Sequence, residues 1–420
     1  MAVYMCLDLK SFYASVECAD LGVDPFTTPL VVADASRGLG AITLAISPAL
    51  KKLGVKNRCR LFEIPSTVEY MAVKPRMRRY MEVSAAIYGT LLEYVAPEDI
   101  HVYSIDEYFI DVTPYSRLYK QSFPELALTF QGKVLAKTGI YSTVGIGTNL
   151  FLAKVALDVL AKHEPQGIAL LDETRFKEKI WYHQPITDIW QIGKGIANRL
   201  HKYGVVDLHG ITTVPETRLY REFGVNAELL IDHAWGREPC TMKEIHAYRP
   251  AKHSLSRGQI LLRNYTFGEC FVPLREMVES LVLELIAERA VTKHISVSVA
   301  YANREVRRTG GSRSLAEYTC SVAILSEAVL QLYRETTHQE QEIRQLSVGL
   351  EELVNREAVP WEMDLFATNQ KEEEKTYQVE RTVLEIKEKF GGNSILRASS
   401  LQEEGTMRFR NTLIGGHNAT

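Results

Sequence analysis

Residues Val102 to Val112 read Val-Tyr-Ser-Ile-Asp-Glu-Tyr-Phe-Ile-Asp-Val, an adjacent acidic pair, Asp106 and Glu107, set between two short β-branched and aromatic runs. Such runs favour strands, and the acids mark a tight turn between them. A carboxylate stripped of water costs several kcal/mol unless it is paired or coordinated. The pair therefore lies on a solvated turn, where Asp is common, or faces a cation. A second apolar strand, Val3 to Leu7, ends in its own acid, Asp8. Three carboxylates at strand ends are the minimum set for a two-metal site.

At 420 residues and 46% hydrophobic, the chain is long enough for two to four domains. Its net charge of -3 does not announce a polyanionic partner for the whole molecule, so charge is read by segment. The six cysteines form no Cys-x-x-Cys pair, which argues against a zinc module or a disulfide framework and for a reducing cytosol. No run approaches the ~20 apolar residues of a membrane span. A cytoplasmic protein without membrane contact is expected.

After Asp8, Ser11 to Glu17 reads as the first turns of a helix whose free amides would meet whatever the carboxylates hold, phosphate included. A strand-turn-helix with core aromatics accounts for the same residues. Pro29 to Ala33 reads as a strand, Ser47-Pro48 opens a short basic helix, and residues 82 to 95 and 123 to 138 have helical spacing. Tyr141 to Gly147 alternates like a strand, and Asn149 to Lys162 carries a buried helical face. This split β-α-β order predicts an α+β fold, with an antiparallel or mixed sheet backed by helices.

Gly193-Lys194-Gly195 is a glycine turn opening a helix, suited to gripping a phosphate without reading a base, or simply to packing. From 242 to 313 there are twelve basic residues against seven acids, clustered at Arg249 to Arg257 and Arg304 to Arg313, a pattern that fits nucleic-acid backbone contact or a solvated basic face. Residues 362 to 404 turn acidic, ten against six. Ahead of their run Glu372-Glu373-Glu374 lies an apolar island, Trp361 to Phe366, of the kind that folds onto a partner groove or completes a domain.

Together these features resemble the Y-family, or translesion, DNA polymerases, and within them the UmuC-like, UvrX-type branch. The resemblance rests on Asp8 followed by Ser11 to Glu17, on Ser104-Ile105-Asp106-Glu107, and on Gly145-Ile146-Gly147 leading to Ala153-Lys154 and Lys162. It covers essentially the whole chain, and the combination is highly specific. It implies a right-hand polymerase with a ferredoxin-like palm at 1–22 and 75–165, and small fingers at 23–74. A helical thumb at 166–241 would bring Gly193, Lys194 and Gly195 to DNA, and an α/β little finger would span 242–352. A clamp-binding peptide and C-terminal extension would occupy 353–420.

By the same resemblance Asp8, Asp106, Glu107 and the Leu9 carbonyl hold two Mg2+ ions, and Phe12, Tyr13, Lys51 and Lys162 hold the deoxynucleoside triphosphate. Tyr13 stands at the steric gate against a ribose 2'-hydroxyl. The more common pattern has tyrosine and arginine where Pro48 and Lys51 align, whereas the lysine agrees with the UmuC-like branch. Lys252, Ser254, Ser256, Arg257, Arg304 and Arg307 would touch primer-template DNA. Met363, Leu365 and Phe366 would anchor a sliding clamp, an accessory subunit is a possible further partner, and the enzyme would work at the nucleoid. The rivals are a catalytically silent recruitment factor on the same fold and another palm-based enzyme such as a nucleotidyl cyclase.

Overall fold

The computed structural model describes residues 2–250, 253–359 and 369–420. It divides into two compact units, one of 2–248 with 418–420 and one of 249–417.

The first unit is built on a five-stranded sheet. Strand β1 (Tyr4–Leu9) runs into helix α1 (Phe12–Leu21) through Ser11, which takes the left-handed conformation at φ 49°. A small three-stranded sheet of β2 (Leu30–Val32), β3 (Ala45–Ile46) and β4 (Met71–Val73) follows, with helix α2 (Pro48–Lys52) capped by Ser47 as its sequence predicts. It has its own core, including Val31, Ile46 and Leu50. Helix α3 (Met77–Leu92), the hairpin β5 (Ile100–Val102) and β6 (Glu107–Asp111), and helices α4 (Tyr115–Tyr119) and α5 (Phe123–Thr138) lead to β7 (Ser142–Gly147), α6 (Leu150–Val155) and β8 (Ile168–Leu171).

The main sheet has the order β5-β6-β1-β7-β8, with β7 and β8 parallel and the other pairs antiparallel. Period-2 alternation decides what β1 shows to each side. Met5, Leu7 and Leu9 are fully buried, and Tyr4 and Cys6 join the core with α6. Asp8 shares the α6 face with Tyr4 and Cys6.

Helices α7 (Glu173–Lys179), α8 (Lys194–His201), α9 (Leu208–Thr213), α10 (Glu216–Phe223), α11 (Asn226–Ala234) and α12 (Met242–Ala247) complete this unit. They share one hydrophobic core with β1 and α6. Met242 is part of that core, and the second unit therefore starts at 249, not at the predicted 242.

The second unit is built on a five-stranded antiparallel sheet whose main path is β11 (Thr309–Thr319), β10 (Ala290–Tyr301), β12 (Ile343–Glu351), β9 (Leu255–Tyr265), with the short strand Val354–Asn355 pairing the start of β10. Helices α13 (Phe271–Ala287) and α14 (Val322–Thr336) cover one face. Ile295, Val297 and Val299 of β10 point into that core. The alternate residues Ser296 and Ser298 stand beside Ser312 and Gly310 of β11 and beside Gly349 and Ser347 of β12. Ser256 and Gly258 of β9 continue the row, so the uncovered face is paved with serine and glycine.

The acidic C-terminal stretch forms helix α15 (Asn369–Phe390), which packs on α13 through Tyr377 and Leu384. Glu276 of α13 is 1% exposed, and its carboxylate accepts the Thr406 amide and hydroxyl at 2.8 Å and the Met407 amide at 3.0 Å. The tail is thus an extra layer of the second unit. No helix among the described residues is long and apolar enough to cross a membrane.

Candidate active site

Strand pairing brings the acids together. Asp8 lies directly opposite Glu107 in the β1-β6 ladder, and the Leu9 amide donates to the Asp106 carbonyl at 3.0 Å. The chain bends at 104–106 between β5 and β6, and Glu107 opens β6 inside the sheet rather than lying on a free loop. Asp111, further along β6, accepts the Thr113 amide at 2.9 Å and serves the turn there.

The helix after β7 completes the site. Gly145 and Gly147 let its backbone lie against the strand: a Cβ on Gly145 would stand 2.1 Å from the Ala153 carbonyl oxygen, and one on Gly147 2.2 Å from the Ala153 amide. From Ala156 to Leu160 the helix opens into a π turn and then closes as a 3₁₀ turn over Ala161–His163. The sequence spacing predicts an unbroken α-helix here. The apolar residues of this stretch are dense enough to fit an α-helix as well, so periodicity does not show the π turn.

This helix delivers two lysines. Lys154 is 6% exposed, touches the Glu107 carboxylate, and lies 3.0 Å from Asp158 Oδ2. Lys162 is 2.8 Å from Asp158 Oδ1 and 3.9 Å from Asp8 Oδ2. The family resemblance alone gives Lys154 no role; its burial against Glu107 makes it part of the site. Burial works against both ammonium groups, yet neighbouring acids lift both pKa values: Asp158 and Glu107 at Lys154, Asp8 and Asp158 at Lys162. Lys51, on α2, is shifted the other way, first by burial and then by Lys162, against the pull of Asp8. That opposition brings Lys51 to the same charge cluster.

Burial pushes the Asp8 carboxyl up to about 7, with Glu107 and Asp106 adding to the rise and Lys162 opposing it. The excess of buried negative charge and the all-oxygen donor set suit a hard divalent cation. Among the described residues, no three His, Cys, Asp or Glu side chains stand as a ready-made metal cage. Asp106 instead accepts the Ser104 hydroxyl at 2.8 Å, and Glu107 is held by Lys154.

Tyr13 is half-buried and rests on Tyr80, ring centroids 4.6 Å apart. The Tyr80 hydroxyl donates to the buried Glu17 carboxylate at 2.7 Å, and Glu17 also accepts Arg76 at 2.7 Å. Phe12 is 2% exposed and contacts Tyr13 at 5.5 Å, so it supports that ring from the core instead of presenting its own. Gly193 caps α8, and Gly193 and Gly195 both face open space, which removes packing as their reason.

In the second unit Ser254 and Ser256 are exposed, as are Arg304 and Arg307 on the β10-β11 connection. Arg257 corrects the expectation for it: with Leu255 and Leu261 it belongs to the helix side of β9, where it pairs with Glu284 of α13. The even spacing from Leu255 and Leu261 already carries that signal. Lys252, Met363, Leu365 and Phe366 lie outside the described residues.

The impB/mucB/samB family matches residues 7–158, and the C-terminal domain of that family matches 252–365. The chain belongs to this family, the Y-family DNA polymerases. It is 32% identical over 98% of its length to the putative UV-damage repair protein UvrX of Bacillus subtilis, covering 97% of that protein. To DNA polymerase IV 2 of the same organism it is 31% identical, over 99% of this chain and 98% of the other. A solved Y-family DNA polymerase chimera built on Dbh shares the fold, with a TM-score of 0.62 at 22% identity over 84% of this chain and 99% of that one. The polymerase is thus a DNA-directed DNA polymerase of the translesion class, with the α+β right-hand fold.

Proposed function

We propose that the polymerase copies damaged templates by nucleotidyl transfer at Asp8, Asp106 and Glu107, where the primer 3'-hydroxyl attacks the α-phosphate of a bound deoxynucleoside triphosphate. The observation that carries this reading is the ladder register that sets Asp8 opposite Glu107 beneath Lys154 and Lys162. The three carboxylates and the Leu9 carbonyl would hold two Mg2+ ions, which would supply activation of the hydroxyl and neutralisation of phosphate charge. The residues do the positioning. Lys162 and Lys51 receive the triphosphate, the amides at the start of α1 add a second phosphate contact, and Tyr13 lies under the sugar.

DNA is held through its phosphates. The serine and glycine face of the second unit admits a backbone at close range, with Ser254, Ser256, Arg304, Arg307 and Lys252 supplying donors, and the Gly193-Lys194-Gly195 turn adds amides. Met363, Leu365 and Phe366 engage a sliding clamp. Alanine at Leu365 and Phe366 is expected to remove clamp stimulation and spare basal synthesis.

Primer extension on undamaged and lesion-bearing templates tests the central assignment. Asp106→Ala is expected to lose about 10³-fold or more in nucleotide addition while keeping its affinity for primer-template. Retained extension by this variant would overturn the site.

A further inference from the structure

Lys154 and Lys162 each stand four residues from one acid, the i,i+4 spacing that brings both ammonium groups to the same carboxylate. That carboxylate is Asp158, inside the π turn. Each of its oxygens is committed: Oδ2 to Lys154 at 3.0 Å and Oδ1 to Lys162 at 2.8 Å.

The two lysines differ in what they can reach. Lys154 has a side chain 7% exposed and is fixed at its far end on Glu107, whereas the Lys162 side chain is 41% exposed and open to a ligand. Asp158 therefore joins a buried lysine to an exposed one. A lysine has a long flexible stem and a point charge, so its position is worth little unless something fixes it. We infer that Asp158 is a positioning residue that sets Lys162 for the triphosphate of the incoming nucleotide. The inference rests on the proposed triphosphate role of Lys162.

The test is equilibrium binding of the next correct deoxynucleoside triphosphate, with Mg2+, to the enzyme on a primer ending in a dideoxynucleotide, so that no chemistry occurs. Asp158→Asn is expected to weaken nucleotide binding about tenfold. Its melting temperature and DNA affinity should stay at the parent values, and Asp158→Glu should recover part of the loss. In a Lys162→Ala background, Asp158→Asn should add nothing. Unchanged nucleotide affinity in both Asp158 variants overturns the inference, as does an equal loss with and without Lys162. If Lys162→Ala alone leaves binding intact, the triphosphate assignment itself fails, and that result is distinct from a failure confined to Asp158.

Discussion

Tyr13 owes its place to residues that never face a substrate. Its ring leans on Tyr80, Tyr80 is tied by its hydroxyl to Glu17, and Glu17 is clamped by Arg76. A flat ring held from behind cannot retreat, so in the role proposed for Tyr13 discrimination at a sugar hydroxyl would come from a clash that side-chain motion does not relieve. Tyr13→Ala is expected to raise the ratio of ribonucleotide to deoxynucleotide incorporation by at least about tenfold. Tyr80→Ala, which removes only the backing, should fall between the variant and the parent. The ratio of kcat/KM values for the paired nucleotides measures both, and equal discrimination in Tyr13→Ala and parent would refute the gate. The Tyr13 position is legible in the sequence through the resemblance, but its support is not. Tyr80 and Glu17 are far apart in the chain, and nothing local says that they meet.

At the scale of elements, the site depends on a helix packed backbone to backbone on a strand. Gly145 and Gly147 leave no room for even a methyl group, since the clashing atoms belong to main chain that has nowhere to go. Gly145→Ala is expected to destabilise the first unit by more than about 3 kcal/mol, read as a shift of the denaturation midpoint in urea. A midpoint within error of the parent would show that the helix is not seated as described. The strands and their acids are readable because β-branched runs rarely form anything but strands, and a carboxylate at the end of one must meet either water or a cation. The π turn is not, because the apolar residues of 149–162 are dense enough to fit an α-helix as well. Arg257 draws the eye by its charge, whereas its parity with Leu255 and Leu261 decides its side.

At the scale of the whole molecule, the C-terminal tail is the largest departure from expectation. Its acidic composition conceals a helix in which Tyr377, Glu380 and Leu384 return at helical spacing to one inward face. Glu279 of α13 lies at that junction, 2.9 Å from Arg397, and burial lifts its carboxyl to about 7, with Glu276 and Glu380 adding to the rise and Arg397 opposing it. A carboxyl raised in the folded chain from 4.5 to about 7 contributes stability that is full below the lower value and lost as pH rises through the upper one. The second unit should therefore melt lower at pH 8 than at pH 5.5, and Glu279→Gln should flatten that difference. Thermal melts at the two pH values decide it; an unchanged slope in the variant would refute the role of Glu279.

The serine and glycine pavement of the second unit has a thermodynamic corollary. Long basic side chains that grip a ligand must first give up their rotational freedom, at a cost of up to about 2 kcal/mol each, whereas serine and glycine have little or none to lose. Contact over this face should be nearly free of that ordering cost and indifferent to small changes in backbone path. With DNA on this face as proposed, a bent or swollen duplex would rest where a regular one does, without the surface having to be rebuilt for it.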